Sequence, residues 1–180
     1  MRIISGEWKG RRLKSVRGLE TRPTSDKVKG AIFNILGDKL HGAKVLDVFA
    51  GTGNLSWEAL SRGAERAVLI EKNTQAWKVA IENQILLGAE NKAAVFKTDA
   101  FAFIKKCQES FDVIFLDPPY RQGLVDNAIS IIKNIPILNS NGVIIAETSS
   151  AEEIKGDLAP LQLQLTKEYG DTKIWFLQEA

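Results

Sequence analysis

The segment Asp117-Pro118-Pro119-Tyr120 offers three chemically useful groups within four residues. It follows a short apolar run, residues 113–116, that is typical of a buried strand. Because proline fixes its own backbone, the loop would hold a carboxylate, the Pro118 carbonyl and an aromatic ring in set positions. Two oxygen acceptors beside a ring suit a planar base with an exocyclic amine. We therefore predict catalytic roles for Asp117, Pro118 and Tyr120; an ordinary turn is the alternative.

A second candidate segment contains two glycines, Gly51 and Gly53, between an apolar strand and a predicted helix. Glycine lets the backbone turn sharply and lets a ligand lie close against it. The third glycine of the dinucleotide fingerprint G-x-G-x-x-G is replaced by Ser56. This departure disfavours a nicotinamide oxidoreductase, and a strand–helix turn without a ligand remains the alternative.

Three carboxylates, Asp47, Glu71 and Asp99, mark the ends of three successive predicted strands. The second can accept ribose hydroxyl groups, and the third can accept the amine of adenine. Together they outline a site for a nucleoside without a pyrophosphate. S-adenosylmethionine fits, because its ammonium group would be drawn toward Asp47 and an acidic rim tolerates its sulfonium. The predicted cofactor contacts are Asp47, Phe49, Gly51, Gly53, Glu71, Lys72, Asp99, Ala100, Phe101 and Asp117.

Strand and helix signals alternate along the chain and would position these groups. The predicted strands are 44–49, 67–70, 94–97, 113–116 and 143–147, followed by a hairpin of 162–168 and 173–178. The predicted helices are 25–37, 55–62, 74–87 with Thr74 as its cap, 101–108, 122–134 and a short one at 151–157. Five βα units and a hairpin predict an α/β fold: a mostly parallel sheet with helices on both faces and an antiparallel edge. Glu147, at the end of a predicted strand, has no assigned role.

The first 29 residues are strongly basic. They hold nine Lys/Arg against three acids, a balance of +6, whereas the whole chain has a net charge of +2. A hairpin with strands near 2–5 and 11–16 would display Arg11 and Arg12, and Trp8 at its tip would either stack on RNA or pack. Such an arm suits a polyanion, most simply nucleic acid; a solvated surface hairpin is the alternative.

Length and composition narrow the class further. A chain of 180 residues suits one domain. One cysteine and one histidine argue against an internal disulfide and a zinc site. No apolar run approaches the ~20 residues that cross a bilayer, and the start lacks a signal-peptide core. We expect a cytoplasmic protein without a metal and without membrane contact.

Several motifs together resemble one known family. They are Arg2-Ile3-Ile4-Ser5-Gly6 with Lys9-Gly10-Arg11, Arg22-Pro23-Thr24-Ser25-Asp26, residues 45–53, residues 58–64 and Asp117-Pro118-Pro119-Tyr120. This set, which spans nearly the whole chain, is similar to the bacterial RsmD-type 16S ribosomal RNA guanine-N2 methyltransferase family. Two dipeptides depart from the family pattern: Lys29-Gly30 replaces Arg-Glu, and Ser56-Trp57 replaces smaller residues.

The resemblance implies a Rossmann-like class I S-adenosylmethionine-dependent methyltransferase fold, with a seven-stranded sheet and an N-terminal β-hairpin and helix. It implies methylation of a guanine N2 in 16S ribosomal RNA, which we expect within a small-subunit particle and by a monomer. We expect residues 1–37 to form a basic RNA-facing appendage and 38–180 the catalytic domain. The expected RNA contacts are Arg11, Arg12, Arg22, Thr24 and Tyr120. Methylation of adenine N6 in DNA or RNA, methylation of a protein glutamine, and a non-catalytic RNA-binding module are the alternatives.

Overall fold

The computed structural model describes residues 1–16, 25–120 and 122–179. Strands and helices alternate within them. The strands are β1 (Lys44–Asp47), β2 (Arg66–Ile70), β3 (Ala93–Phe96), β4 (Phe111–Leu116), β5 (Leu138–Ser149), β6 (Leu161–Tyr169) and β7 (Thr172–Glu179). The helices are α1 (Asp26–Leu36), α2 (Asn54–Ser61), α3 (Thr74–Leu87), α4 (Ala100–Ile104) and α5 (Leu124–Ile132), with a 3₁₀ turn at Gly37–Leu40.

In the described part of the chain, the strands form one sheet of seven in the order β3-β2-β1-β4-β5-β7-β6. The first five strands pair in parallel, whereas β7 is antiparallel to both β5 and β6. The predicted mostly parallel sheet with an antiparallel C-terminal edge is confirmed. The carboxyl ends of the parallel strands consequently lie along one edge, where open α/β sheets bind ligands.

Helices cover both faces of the sheet, because alternate strand residues point to opposite sides. Val45 packs in a hydrophobic cluster with residues of α1 and α2. Its neighbour Leu46 packs in a second cluster with residues of α4 and α5. The predicted two-sided arrangement is therefore confirmed.

The N-terminal arm, residues 1–16, is held against α2 by Glu58, a residue with 0% exposure. Its carboxylate accepts the backbone N–H groups of Ile4 at 2.8 Å and Ser5 at 3.0 Å. It also accepts Nε of Arg62 at 2.8 Å. One buried carboxylate thus satisfies donors from the arm and from Arg62, the residue that follows its own helix.

Lys29 of α1 completes this buried cluster. Its Nζ lies 3.4 Å from Oε2 of Glu58, and it donates to the carbonyl of Arg2 at 2.6 Å and to Oδ1 of Asn54 at 2.8 Å. Burial lowers the pKa of the Lys29 ammonium group, while the negative charge of Glu58 opposes that shift. The lysine at this departure from the family pattern is a structural cation that joins the arm, α1 and the start of α2.

Apolar side chains of the arm enter the same core. Ile3, Trp8 and Leu13 are buried in the cluster that also contains residues of α1 and α2. Trp8 is 5% exposed, with Nζ of Lys92 5.8 Å from its ring centroid, so it packs against the protein. We expected an RNA-facing appendage, residues 1–37, and a catalytic domain, 38–180. Because one hydrophobic cluster contains residues from both ranges, this division stays a prediction about function.

The predicted hairpin in the arm is confirmed, but the regular strands near 2–5 and 11–16 are wrong. Only one isolated antiparallel bridge forms among the described arm residues, between Arg2 and Arg12. The reason is that α2 competes for the arm's backbone donors. The N–H groups of residues 4, 5, 7 and 8 donate to Glu58 and Ser61 of this helix. The arm's hydrogen bonds therefore serve docking more than a ladder.

The predicted cap of α3 is wrong by one residue. Asn73 rather than Thr74 is the N-cap, and its side chain accepts two first-turn N–H groups at 2.9 and 3.1 Å. Asparagine is among the strongest capping residues, because its short side chain reaches these otherwise unpaired donors.

The short helix expected at 151–157 does not form; this segment is largely irregular. The N–H of Lys155 donates to Oδ1 of Asp126 on α5 at 2.8 Å. In a helix that N–H would bond to the carbonyl four residues earlier, so the tertiary contact replaces the helical one.

Replacing Glu58 with glutamine should destabilise the protein strongly. The Glu58→Gln variant leaves Lys29 buried without an anionic partner, and breaking a buried pair in this way costs about 3–5 kcal/mol. Urea denaturation of both proteins measures the loss. The exposed Glu90→Gln variant serves as the control and should match the wild type. Equal stability of Glu58→Gln and Glu90→Gln would contradict the proposed role of the cluster.

Candidate active site

The loop between β1 and α2 can be built only with glycine at position 53. Gly53 has φ +87°, and a Cβ there would lie 2.2 Å from Nε1 of Trp57 and 2.8 Å from Cδ2 of Leu69. The same indole Nε1 donates to the carbonyl of Thr52 at 2.8 Å. Trp57 is fully buried, so it is a core residue that supports the loop.

Asp47 ends β1 as a buried carboxylate with 2% exposure. Its Oδ2 accepts the hydroxyl of Ser56 at 2.8 Å. Its Oδ1 has no hydrogen-bond partner among the described residues. Burial raises the pKa of this carboxyl to about 7, and the Ser56 hydrogen bond only partly opposes that. A buried acceptor without a donor is what an N–H-bearing ligand would satisfy.

Glu71 follows β2 and contacts the glycine loop, which is the segment 48–53 between β1 and α2. Its Oε2 accepts the backbone N–H of Gly51 at 2.9 Å, and its Oε1 accepts that of Asn73 at 2.6 Å. A carboxylate has about four lone-pair sites, so each oxygen can still accept a ligand hydroxyl. Lys72, also predicted here, is exposed beside it.

The segment after β3 contributes the third carboxylate and an aromatic pair. Asp99 is exposed and caps α4, accepting the N–H of Ala102 at 3.0 Å. Ala100 is buried, whereas the rings of Phe49 and Phe101 are half-buried and meet edge to face with centroids 6.1 Å apart. The half-buried rings flank the edge of the sheet at which the acids stand.

The proline loop, Asp117-Pro118-Pro119-Tyr120, lies at the same edge of the sheet because of strand pairing. β1 pairs with β4, with Asp47 opposite Phe115, so Asp117 lies two residues beyond Phe115, directly after the adjacent strand. Asp117 is half-buried and Pro118 is buried. The fold thus places the predicted cofactor loop and the predicted catalytic loop side by side.

Tyr120 is anchored in a way that its local sequence does not indicate. Its hydroxyl lies 2.6 Å from Oε1 of Glu147 and 3.0 Å from Oγ1 of Thr172. Burial and the Glu147 hydrogen bond raise the pKa of the Tyr120 hydroxyl, so it stays protonated at neutral pH. Glu147, left without a role from sequence, and Thr172, which sequence reasoning missed, are therefore part of this site. The only advance signal was an acid close to a strand's carboxyl end.

The predicted RNA contacts are only partly described. Arg22 and Thr24 lie outside the described residues. Arg11 and Arg12 are exposed on the arm, and Nη1 of Arg11 donates to the carbonyl of Leu86 at 3.0 Å. Among the described residues, neither arginine bonds to the glycine loop or the proline loop.

Part of the arm's positive charge is neutralised on the protein itself. Arg2 pairs with Asp26 at 2.9 Å, and Lys14 pairs with Glu82 at 2.8 Å.

Among the residues seen in the structure, no cluster of three or more His, Cys, Asp or Glu could hold a metal ion. None of the described helices combines the length and apolar character that crossing a membrane requires.

The strand order, with a glycine loop after β1 and a proline loop after β4, defines a class I methyltransferase fold. The chain belongs to the family described as "Conserved hypothetical protein 95", which matches residues 1–178. This confirms the resemblance to the RsmD-type proteins.

Named relatives agree with this assignment. The chain is 37% identical over 171 residues to "Ribosomal RNA small subunit methyltransferase D" of Haemophilus influenzae, covering 93% of this chain and 87% of that protein. It is 36% identical over 148 residues to the protein of the same name from Escherichia coli strain K12, covering 82% and 74%. The solved structure of yhhF from Escherichia coli superposes with a TM-score of 0.90 at 34% identity, covering 99% of this chain and 97% of that one.

The raised pKa of Asp47 predicts a pH-dependent effect of Asp47→Asn on stability without cofactor. The unfolded chain loses this proton near the ordinary pKa of 3.8, whereas the folded protein keeps it to about 7. The folded state binds more protons within this window, so wild-type stability falls as pH rises through it. The variant carries no such proton, so its free energy of unfolding should rise relative to that of the wild type by up to about 1.4 kcal/mol per pH unit.

Urea denaturation of wild type and variant at a series of pH values across this window measures the difference. The exposed Asp38→Asn variant is the control and should show a constant offset. A difference for Asp47→Asn that does not change with pH would contradict the burial of an ionisable carboxyl at this position.

Proposed function

We propose that this protein transfers the methyl group of S-adenosylmethionine to the exocyclic N2 amine of a guanine in small-subunit (16S) ribosomal RNA, within a small-subunit particle. The observation that carries the proposal is the parallel pairing of β1 with β4, which sets the proline loop beside the glycine loop. A nucleoside bound after β1 and an amine bound after β4 would be neighbours. The names of the relatives support ribosomal RNA as the substrate.

The residues present fit the cofactor. The buried, unpartnered Oδ1 of Asp47 can accept the ammonium group of the methionine moiety. Glu71 can accept the ribose hydroxyls, Asp99 can accept the adenine amine, and the rings of Phe49 and Phe101 offer apolar contact. When bound, S-adenosylmethionine supplies an electrophilic methyl group on a sulfonium.

Asp117 and the Pro118 carbonyl act on the target amine. The lone pair of a guanine amine is delocalised into the ring, so the amine is a poor nucleophile. Two acceptors that bind its N–H groups would turn the lone pair toward the methyl group. Most of the rate enhancement then comes from placement, since holding two reactants in line can contribute about 7–11 kcal/mol.

Tyr120 provides the surface for the flipped base. Its ring is half-buried at the rim of a cleft that is also lined by Pro118, Pro119 and Glu147. Stacking of a base on an aromatic side chain contributes about 1–3 kcal/mol. That is comparable to the few kcal/mol needed to extrude a base from structured RNA.

The N-terminal arm supplies phosphate contacts. Arg12 and Lys9 are exposed and have no ion pair with another described residue. Arg11 keeps capacity beyond its bond to α3, because a guanidinium has five N–H donors. Contacts of these cations with phosphates, together with those proposed for Arg22 and Thr24, would offset part of the cost of base extrusion.

Methyl transfer from labelled S-adenosylmethionine to small-subunit particles from a strain lacking this protein tests the proposal. We expect N2-methylguanosine on nucleoside analysis. Asp117→Ala should lower the rate at least about 100-fold, as loss of one preorganised active-site hydrogen bond does in other enzymes. The exposed Glu90→Ala variant is the control. N6-methyladenosine, or no labelled nucleoside with wild type, would overturn the proposal; near-normal transfer by Asp117→Ala would overturn the acceptor role.

A further inference from the structure

The hydroxyl of Tyr120 is held by two different strands at the antiparallel part of the sheet. Glu147 on β5 lies opposite Ile174 of β7, and Thr172 lies two positions before Ile174. Glu147 and Thr172 are therefore diagonal neighbours on one face of the β5–β7 pair. Both are buried, at 5% and 8% exposure.

The direction of these hydrogen bonds follows from the groups involved. A carboxylate only accepts, so the single hydroxyl proton of Tyr120 goes to Oε1 of Glu147 at 2.6 Å. The hydroxyl of Thr172 then donates to the tyrosine oxygen at 3.0 Å. The phenol is thus bound as donor and as acceptor, which fixes the far end of the side chain.

We propose that Glu147 and Thr172 are positioning residues that fix the ring plane of Tyr120 for stacking on the target base. This inference rests on the proposed function and adds to it a support outside the proline loop. Pro118 and Pro119 restrict the backbone before the tyrosine, and the two polar anchors restrict the end of its ring. A ring fixed at both ends has its stacking geometry before the base arrives.

Glu147 could act in two ways: through the Tyr120 hydroxyl, as proposed, or by touching the base itself. If Glu147 acts on methyl transfer through the Tyr120 hydroxyl, its substitution causes no further loss of kcat/KM once that hydroxyl is absent. If Glu147 acts on the base directly, its substitution has the same effect with or without the hydroxyl. A double-mutant cycle distinguishes the two.

The experiment compares wild type, Tyr120→Phe, Glu147→Gln, Thr172→Val and the double variant Tyr120→Phe/Glu147→Gln. Methyl transfer to small-subunit particles gives kcat and KM, calorimetry gives S-adenosylmethionine affinity, and thermal unfolding gives Tm. Glu168→Gln, a carboxylate of β6 that pairs with Lys173 at 3.6 Å, is the control and should match wild type.

We expect Tyr120→Phe and Glu147→Gln each to lower kcat/KM for the particle by about 10- to 100-fold, the range that misplacement of a reacting group produces. Thr172→Val should have a smaller effect in the same direction. Cofactor affinity should be unchanged, and the double variant should be no worse than Tyr120→Phe alone.

Additive losses in the double variant, or wild-type kcat/KM in Tyr120→Phe, would overturn the proposal. An equal loss of cofactor affinity and Tm in every variant would also overturn it, because it would indicate a general structural role. If Glu147→Gln does not fold, Tyr120→Phe with Thr172→Val completes the same cycle. Absence of guanine methylation by wild type would instead be a failure of the proposed function.

Discussion

Parallel pairing of β4 with β1, and of β1 with β2, is the constraint on which the site depends. Each parallel strand contributes a short polar segment after its carboxyl end, and the pairing register decides which of these segments are neighbours. Asp47 stands opposite Leu69 on one side and Phe115 on the other. Glu71 and Asp117 each follow two residues beyond those partners. Carboxylates separated by up to 70 positions in the chain are thus gathered at one edge of the sheet.

A second set of buried contacts holds the glycine loop and the arm together. Trp57 bonds to the loop from one side, and Asn83 of α3 donates to the same Thr52 carbonyl at 3.1 Å. Asn83 also binds both backbone groups of Lys14 in the arm. The arm proposed to contact RNA and the loop proposed to contact the cofactor therefore share α2 and α3 as their support.

Short-range patterns in the sequence were enough to predict the central sheet and the loops that follow its strands. Apolar runs of four to six residues and glycines at helix ends carry that information within short windows. What could not be predicted depends on partners far away in sequence. The helix expected at 151–157 is replaced because Asp126 takes the N–H of Lys155, and the arm's ladder is short because Glu58 takes its donors. The anchoring of Tyr120 by Thr172, 52 positions away, is of the same kind.

A crystal structure of the protein with bound S-adenosylmethionine would show whether these carboxylates form one site. We expect the ribose hydroxyls to bond to Glu71, the ammonium group to bond to Asp47, and the sulfonium methyl to face the carboxylate of Asp117. A nucleoside bound at another edge of the sheet, or a methyl group directed away from Asp117, would contradict it.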